Sequence, residues 1–394
     1  MRADVAILFA TRAVRMFAYG FLSVILILYL AAIGIDARRI GILLSLTLAG
    51  DVIVSLIFTT RADAFGRRRT LVAGAILMAA AAAVFASTHD FILLLIAATI
   101  GVISPSGNEV GPFLAVEQVA LAEVVGTRDR TSLYAWYNLG GSFATAIGAL
   151  AAGAIADVIS YRGEIIGYGL LGVVLALMFA RLSPDVDAQP HDVAKPKRIS
   201  GIVYKLSALF ALDSFAGGLI VQSILAWWFY RRFGLSPAIL GSIFFGANIL
   251  AGISALAAAW LARRFGLLNT MVFTHLPSNV LLLLVPFMPT LSLAIVVLLL
   301  RFSISQMDVP TRQSYLIAAV DPSERTAAAG ITGVARTTGA ALAPVLAVPL
   351  ISGAKDWIPF VAAGTLKIAY DLLLLRSFRH IKVGTKGGRR DQSR

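Results

Sequence analysis

TTRADAFGRRR, residues 59–69, gathers five ionised side chains into eleven residues of an otherwise apolar chain. Apolar runs at 38–60 and 70–87 flank it, and about 20 mostly apolar residues suffice for a helix to cross a bilayer. Gly66 permits a tight turn between the two runs. Arg67, Arg68 and Arg69 suit a loop held against an anionic cytoplasmic leaflet. The stretch therefore reads as the inside turn between two membrane spans.

The rest of the chain fits that reading. Of 394 residues, 58% are hydrophobic and only 14% charged, with a mean hydropathy of +0.84; soluble domains sit near about 45–50% and 25%. A soluble enzyme, a disordered chain and a secreted disulfide scaffold are excluded on this ground. The chain has no cysteine, which removes disulfides, iron–sulfur clusters and thiolate chemistry. At roughly 33 residues per span and loop, the length allows about twelve spans. They fall at 5–31, 38–60, 70–87, 91–116, 131–157 and 164–182, then at 203–230, 238–262, 269–288, 291–318, 326–352 and 357–375. The fold class expected is all-α integral membrane, with twelve transmembrane helices in two six-helix bundles. Segments of alternating polarity, as in outer-membrane barrels, are absent. The first run is too long and lacks a small-residue cleavage site for a signal peptide, so Met1 is expected to begin the mature chain.

The charges record orientation. With both termini cytoplasmic, inside segments carry 20 of the 34 Lys and Arg, and outside loops carry 6. The net charge of +13 is then mostly an inside-loop excess and implies no nucleic-acid partner. The longest polar break, SPDVDAQPHDVAKPKRIS at 183–200, separates an N-terminal bundle (1–182) from a C-terminal one (201–375), and a basic tail (376–394) follows. The halves repeat one another. GIDARRIG at 34–41 parallels GLSPAILG at 234–241, and Phe65-Gly66 parallels Phe265-Gly266, all shifted by 200. EQVAL at 117–121 parallels RQSYL at 312–316, and Arg130-Thr131 parallels Arg325-Thr326, both shifted by 195.

On these features the chain resembles the major facilitator superfamily of secondary transporters, over essentially its whole length. The family pattern G-x-x-x-D-[RK]-x-G-[RK]-[RK] between spans two and three is met by Asp63, Gly66, Arg67 and Arg68, while Thr59 and Ala64 depart from it. The resemblance implies that Asp63 helps lock the cytoplasmic side closed. The family's antiporter motif would fall on ATAIGALAAG at 144–153, where only Gly148 and Gly153 match; this weakens a drug/proton antiporter assignment. The resemblance also implies a central cavity lined by spans one, four, seven and ten.

Ionisable groups inside spans cost about 2.5–3.5 kcal/mol each unless paired or solvated, so they point to a polar pathway. Span one carries Arg12, Arg15 and Tyr19 on one face; span four carries Asn108 and Glu109 within SPSGNEVGP, whose Pro and Gly residues predict a broken helix. Span seven carries Asp213 and Gln222, and span ten Arg301, Gln306, Asp308 and Arg312. At 1.5 Å per residue, Arg12 and Arg15 share a depth with Glu109, and Asp213 with Arg301. Asp51 and Arg336 reach comparable depths in spans two and eleven and would form an interdomain latch. Asp308 with Arg312, and Lys367 with Asp371, are spaced i, i+4 as structural ion pairs. Glu117 lies too far along its run to be intramembrane and is expected in a loop or interface; His275 is expected to be a packed peripheral histidine rather than a proton carrier.

The absence of Walker A, HExxH and CxxC patterns argues against an ATP-driven pump, a metal site or an enzyme, and no cofactor is expected. The leading expectation is a secondary active transporter of a small solute by alternating access, in proton-coupled efflux, with Glu109 and then Asp213 as the coupling carboxylates. The alternative is proton-coupled uptake or facilitated transport of a small organic anion, which Arg12, Arg15, Arg301 and Arg312 would suit. A non-transporting sensor, which would normally add an extramembrane domain, is the third reading. Arg outnumbers Lys 27 to 7 and Ala is abundant, as in GC-rich bacterial or archaeal genomes, so the plasma (inner) membrane is the expected location. The chain is expected to be a monomer whose partners are lipid, a small-molecule substrate and protons.

Overall fold

The computed structural model describes residues 2–124, 130–156, 158–187, 199–321 and 324–379, and among these there are helices and no strands. The first half contains α1 (Arg2–Ala32), α2 (Ala37–Phe65), α3 (Arg67–Ser87), α4 (Phe91–Ile100), α5 (Phe113–Val124), α6 (Arg130–Ile155) and α7 (Tyr161–Ala180). The second contains α8 (Gly201–Gly218), α9 (Gln222–Phe233), α10 (Pro237–Phe265), α11 (Leu267–Leu284), α12 (Leu291–Ser305), α13 (Asp308–Ala319), α14 (Arg325–Ala341), α15 (Pro344–Ser352) and α16 (Ile358–Phe378). Among the described residues, eleven helical segments are long and apolar enough to cross a membrane, and the short apolar α4 supplies part of the twelfth crossing. Large apolar side chains such as Ile53, Leu170, Leu177, Trp260 and Phe273 are exposed on the outside of this assembly, as lipid-facing residues are.

The sequence repeats reappear as geometry. Helices α2 and α10 are each 29 residues long, begin after a positive-φ glycine (Gly34, Gly234) and end on another (Gly66, φ 99°; Gly266, φ 84°). Helices α5 and α13 are each 12 residues long and stand 195 positions apart. Across the halves, α2 packs on α14 and α15, and α10 packs on α6. The two contacts are related by the repeat, since Gly41 lies against Pro344 and Val345 while Gly241 lies against Ala149 and Gly153. A Cβ at Gly241 would come within 2.6 Å of the Ala149 carbonyl oxygen, so these helices approach backbone to backbone.

Four crossings are interrupted, and the break in the fourth is the longest. Residues 101–112 leave the helix through Pro105, Gly107 (φ 70°), Gly111 (φ 80°) and Pro112. Backbone groups freed inside a membrane need partners from the protein. The hydroxyl of Tyr168 donates to the Val102 carbonyl (2.7 Å) and that of Tyr19 to the Val110 carbonyl (3.2 Å). Asp51 accepts from the Gly111 amide, and the Ser223 amide donates to the Pro105 carbonyl across the halves (3.1 Å).

Candidate functional site

Among the described residues, two charge clusters lie inside the spans, one in each half. In the first, Arg12 and Arg15 sit one turn apart on α1, which packs on α6 and α7. Arg12 Nη1 is 2.6 Å from Glu109 Oε2, and Arg15 Nε is 2.7 Å from Glu109 Oε1. The expected Arg12/Arg15–Glu109 pairing is therefore present. Glu117 is a correction. It is wholly buried, takes both Nη atoms of Arg15 (2.8 and 2.6 Å), and accepts from the hydroxyls of Thr11 and Tyr137. Arg12 also donates through Nε to the Tyr137 carbonyl (3.0 Å). Two guanidiniums meet two carboxylates, and the cluster is balanced.

The second cluster borders a cavity of about 380 Å³ between the halves. Asp213 on α8 accepts from Lys367 Nζ (2.6 Å) and Arg312 Nη1 (2.9 Å), and Arg312 Nη1 also reaches Asp308 at 3.1 Å. The i, i+4 pair of Asp308 and Arg312 is thus present. Lys367 and Asp371 are not paired with each other. Lys367 turns to Asp213 on α8, while Asp371 holds His275 Nδ1 (2.9 Å) and Asn279 Nδ2 (2.9 Å) on α11. His275 is packed as expected, buried and bonded to Asp371, but not peripheral: it borders the cavity, with Nε2 3.9 Å from Asp213. Arg301 does not pair with Asp213 as depth alone suggests; it borders the cavity with no ion pair among the described residues.

The repeat places these clusters at equivalent positions with the signs exchanged. Glu117 and Arg312 correspond at the shift of 195. Span one contributes cations to Glu117, whereas span seven contributes a carboxylate to Arg312. Of the residues expected at the cavity, Asn108, Gln222, Arg301, Gln306, Asp308 and Arg312 line it. Arg12, Arg15 and Tyr19 lie behind its wall instead, the first two consumed by carboxylates and Tyr19 by the break in span four. Gln222 ties the halves, donating to Ser23 Oγ (2.8 Å) and accepting from Asn248 Nδ2 (3.2 Å).

The expected latch is not closed here. Asp51 is bound within its own half by Gly111 and Ser55, and Arg336 faces the cavity. In the turn at 59–69, Gly66 takes the positive φ that the turn needs, its amide donating to the Ala62 carbonyl (2.9 Å). Arg67 is buried, and Arg68 donates its amide to Asp187 Oδ1 (2.9 Å) and Nη1 to the Leu182 carbonyl (3.3 Å). The side chain of Asp63 lies outside the described residues.

A family model described as Major Facilitator Superfamily matches residues 8–380. The chain is 28% identical over 420 residues to the uncharacterized membrane protein YJR124C of Saccharomyces cerevisiae, covering 95% of this chain and 94% of that one. Among solved structures it is similar to the nucleoside transporter NupG (TM-score 0.78, 14% identity, 95% of this chain and 99% of that chain). It is also similar to a bacterial homologue of the human lysosomal transporter Spinster, inward-facing and occupied (0.74, 15%, 95% and 97%). A third similar structure is the human organic anion transporter MFSD10 (0.66, 16%, 95% and 99%).

Proposed function

Because the chain belongs to the Major Facilitator Superfamily and is built as a membrane transporter, we propose that it moves a small organic anion across the bilayer by alternating access, coupled to protons. The observation that carries the anion is the charge on the cavity wall. Arg301, Arg312, Arg336 and Lys367 face it against Asp213 and Asp308, and a wall with more guanidinium than carboxylate attracts anions and repels organic cations. Of the transport readings raised from sequence, the anion carrier is the one this wall supports.

In this proposal Glu109 and Asp213 are the coupling carboxylates. Each is held by two cations, Glu109 by Arg12 and Arg15 and Asp213 by Arg312 and Lys367. Protonating either one releases two cations at once. Alternating access is supported by the distribution of contacts between the halves. They gather where Gly41 and Gly241 lie, which the Lys and Arg asymmetry puts outside.

A thermal-stability screen of the purified full chain against anionic and cationic solutes tests the proposal. Benzoate and other small organic anions are expected to raise the melting temperature, tetraphenylphosphonium to leave it unchanged. Stabilisation by the hydrophobic cation alone would sink the anion reading.

A further inference from the structure

The cavity cations are not equally used by the protein. Lys367 and Arg312 share Asp213, and Arg312 also takes Asp308. The third carboxylate nearby, Asp371, is wholly buried and turned to His275 and Asn279. This leaves Arg301 and Arg336 without an ion pair among the described residues, although Arg301 is only 8% exposed. The Nε atoms of Arg301, Arg312 and Arg336 are all buried with no acceptor, and so is Ser305 Oγ. Guanidinium donors left unmatched inside a membrane protein are costly, and such groups mark ligand pathways. The first half offers the contrast, since Arg12 and Arg15 have every charge matched there. The lining also carries neutral polar groups: Asn108, Ser142, Thr145, Gln222 and Asn248.

We infer that the transported anion carries two negative charges on one compact head, either a phosphate monoester or a dicarboxylate, received by Arg301 and Arg336 with Arg312 as a further N–H donor. This rests on the anion-carrier reading and sharpens it. Asp371 is not part of the cavity wall, and the wall's own carboxylates, Asp213 and Asp308, leave two of its four cations over, so a dianion leaves the wall neutral and a monoanion does not. Guanidinium forks match phosphate and carboxylate oxygens two at a time, which suits a head with several acceptors close together. The neutral amides of the lining are then left for the uncharged remainder of the molecule.

The test measures thermal stabilisation of the purified full chain at a pH above about 7, where a phosphate ester holds both charges. Four probes are compared: phenyl phosphate, succinate, benzoate and uncharged benzamide. Phenyl phosphate or succinate is expected to half-saturate at a concentration about tenfold below that of benzoate, and which of the two is tighter identifies the head. R301Q and R336Q are each expected to abolish the preference for the dianion. Neither is expected to lower the melting temperature of the unliganded protein, because neither breaks an ion pair. Benzoate binding as tightly as both dianions overturns the inference while sparing the anion carrier. No shift with either dianion overturns it as well, and stabilisation confined to benzamide overturns both.

Discussion

Arg15 is fully buried, with three of its guanidinium bonds to two carboxylates, and the two are not equivalent. Glu117 is sealed in and neutralises Arg15 through two parallel bonds, while the Glu109 side chain keeps 14% of its surface and reaches both arginines. Replacing Glu117 by Gln leaves a buried guanidinium short of its main counter-charge, a change that costs about 3–5 kcal/mol; a marked fall in melting temperature checks it. Replacing Glu109 by Gln should be milder for stability, since Arg15 keeps Glu117 and Arg12 keeps the Tyr137 carbonyl and Asn138. It should instead abolish uphill transport driven by a pH gradient and spare exchange. Undiminished uphill transport by that variant would refute the coupling role. The misplacement of Glu117 from sequence has a physical origin. Depth counted at 1.5 Å per residue assumes an unbroken helix, and residues 101–112 are not helical. They hold α5 back, so Glu117 returns to the level of Arg15. The Lys367–Asp371 spacing misleads for a related reason: helical periodicity puts the two on one face but is blind to the better partners waiting on α8 and α11.

At the scale of elements, the α2–α3 turn is completed from a distance. Helix α3 has no side-chain cap and no acidic residue in its first turn, and the Asp187 carboxylate, more than a hundred residues on, takes the Arg68 amide there instead. A carboxylate at a helix N-terminus stabilises by about 0.3–1 kcal/mol through the exposed amides and the helix dipole. Asp187→Asn should therefore loosen this turn by about that amount, visible as faster hydrogen exchange at the first amides of α3 with the repeat-related start of α11 unchanged. Equal exchange rates in variant and parent would count against the clamp. The turn itself was legible in the sequence, because Gly66 and the arginines carry the local chemistry. Its partner was not, because Asp187 sits in a stretch whose composition reads only as connector.

For the whole molecule, the twelve crossings and the twofold repeat were readable because apolar length and register survive without any knowledge of packing. What register could not show is that the repeat also builds the seal between the halves. Gly41 and Gly241, 200 positions apart, each let a helix of one half touch backbone of the other. A leucine at Gly241 cannot be housed 2.6 Å from a carbonyl oxygen without separating α10 from α6. Gly241→Leu is expected to shift the population toward a cavity open at this end. The chain has no cysteine of its own, so Asn248→Cys on the cavity wall provides a unique reporter. Labelling by an impermeant maleimide from the outer side should rise severalfold in the leucine variant, and an unchanged labelling rate would argue that the seal lies elsewhere.

The stretch from Ser183 to Asp187 gives the connector a mechanical character. Ser183 is moored to Asp4 through its amide (2.9 Å) and hydroxyl (3.1 Å), and Asp187 is moored to the α2–α3 turn. The described part of the connector is therefore fastened to the first half at that turn, beyond the end of α7. The last described residue before the second half is thus fastened to the α2–α3 turn of the first, which makes that turn an anchor point of the chain as well as the mark of its topology.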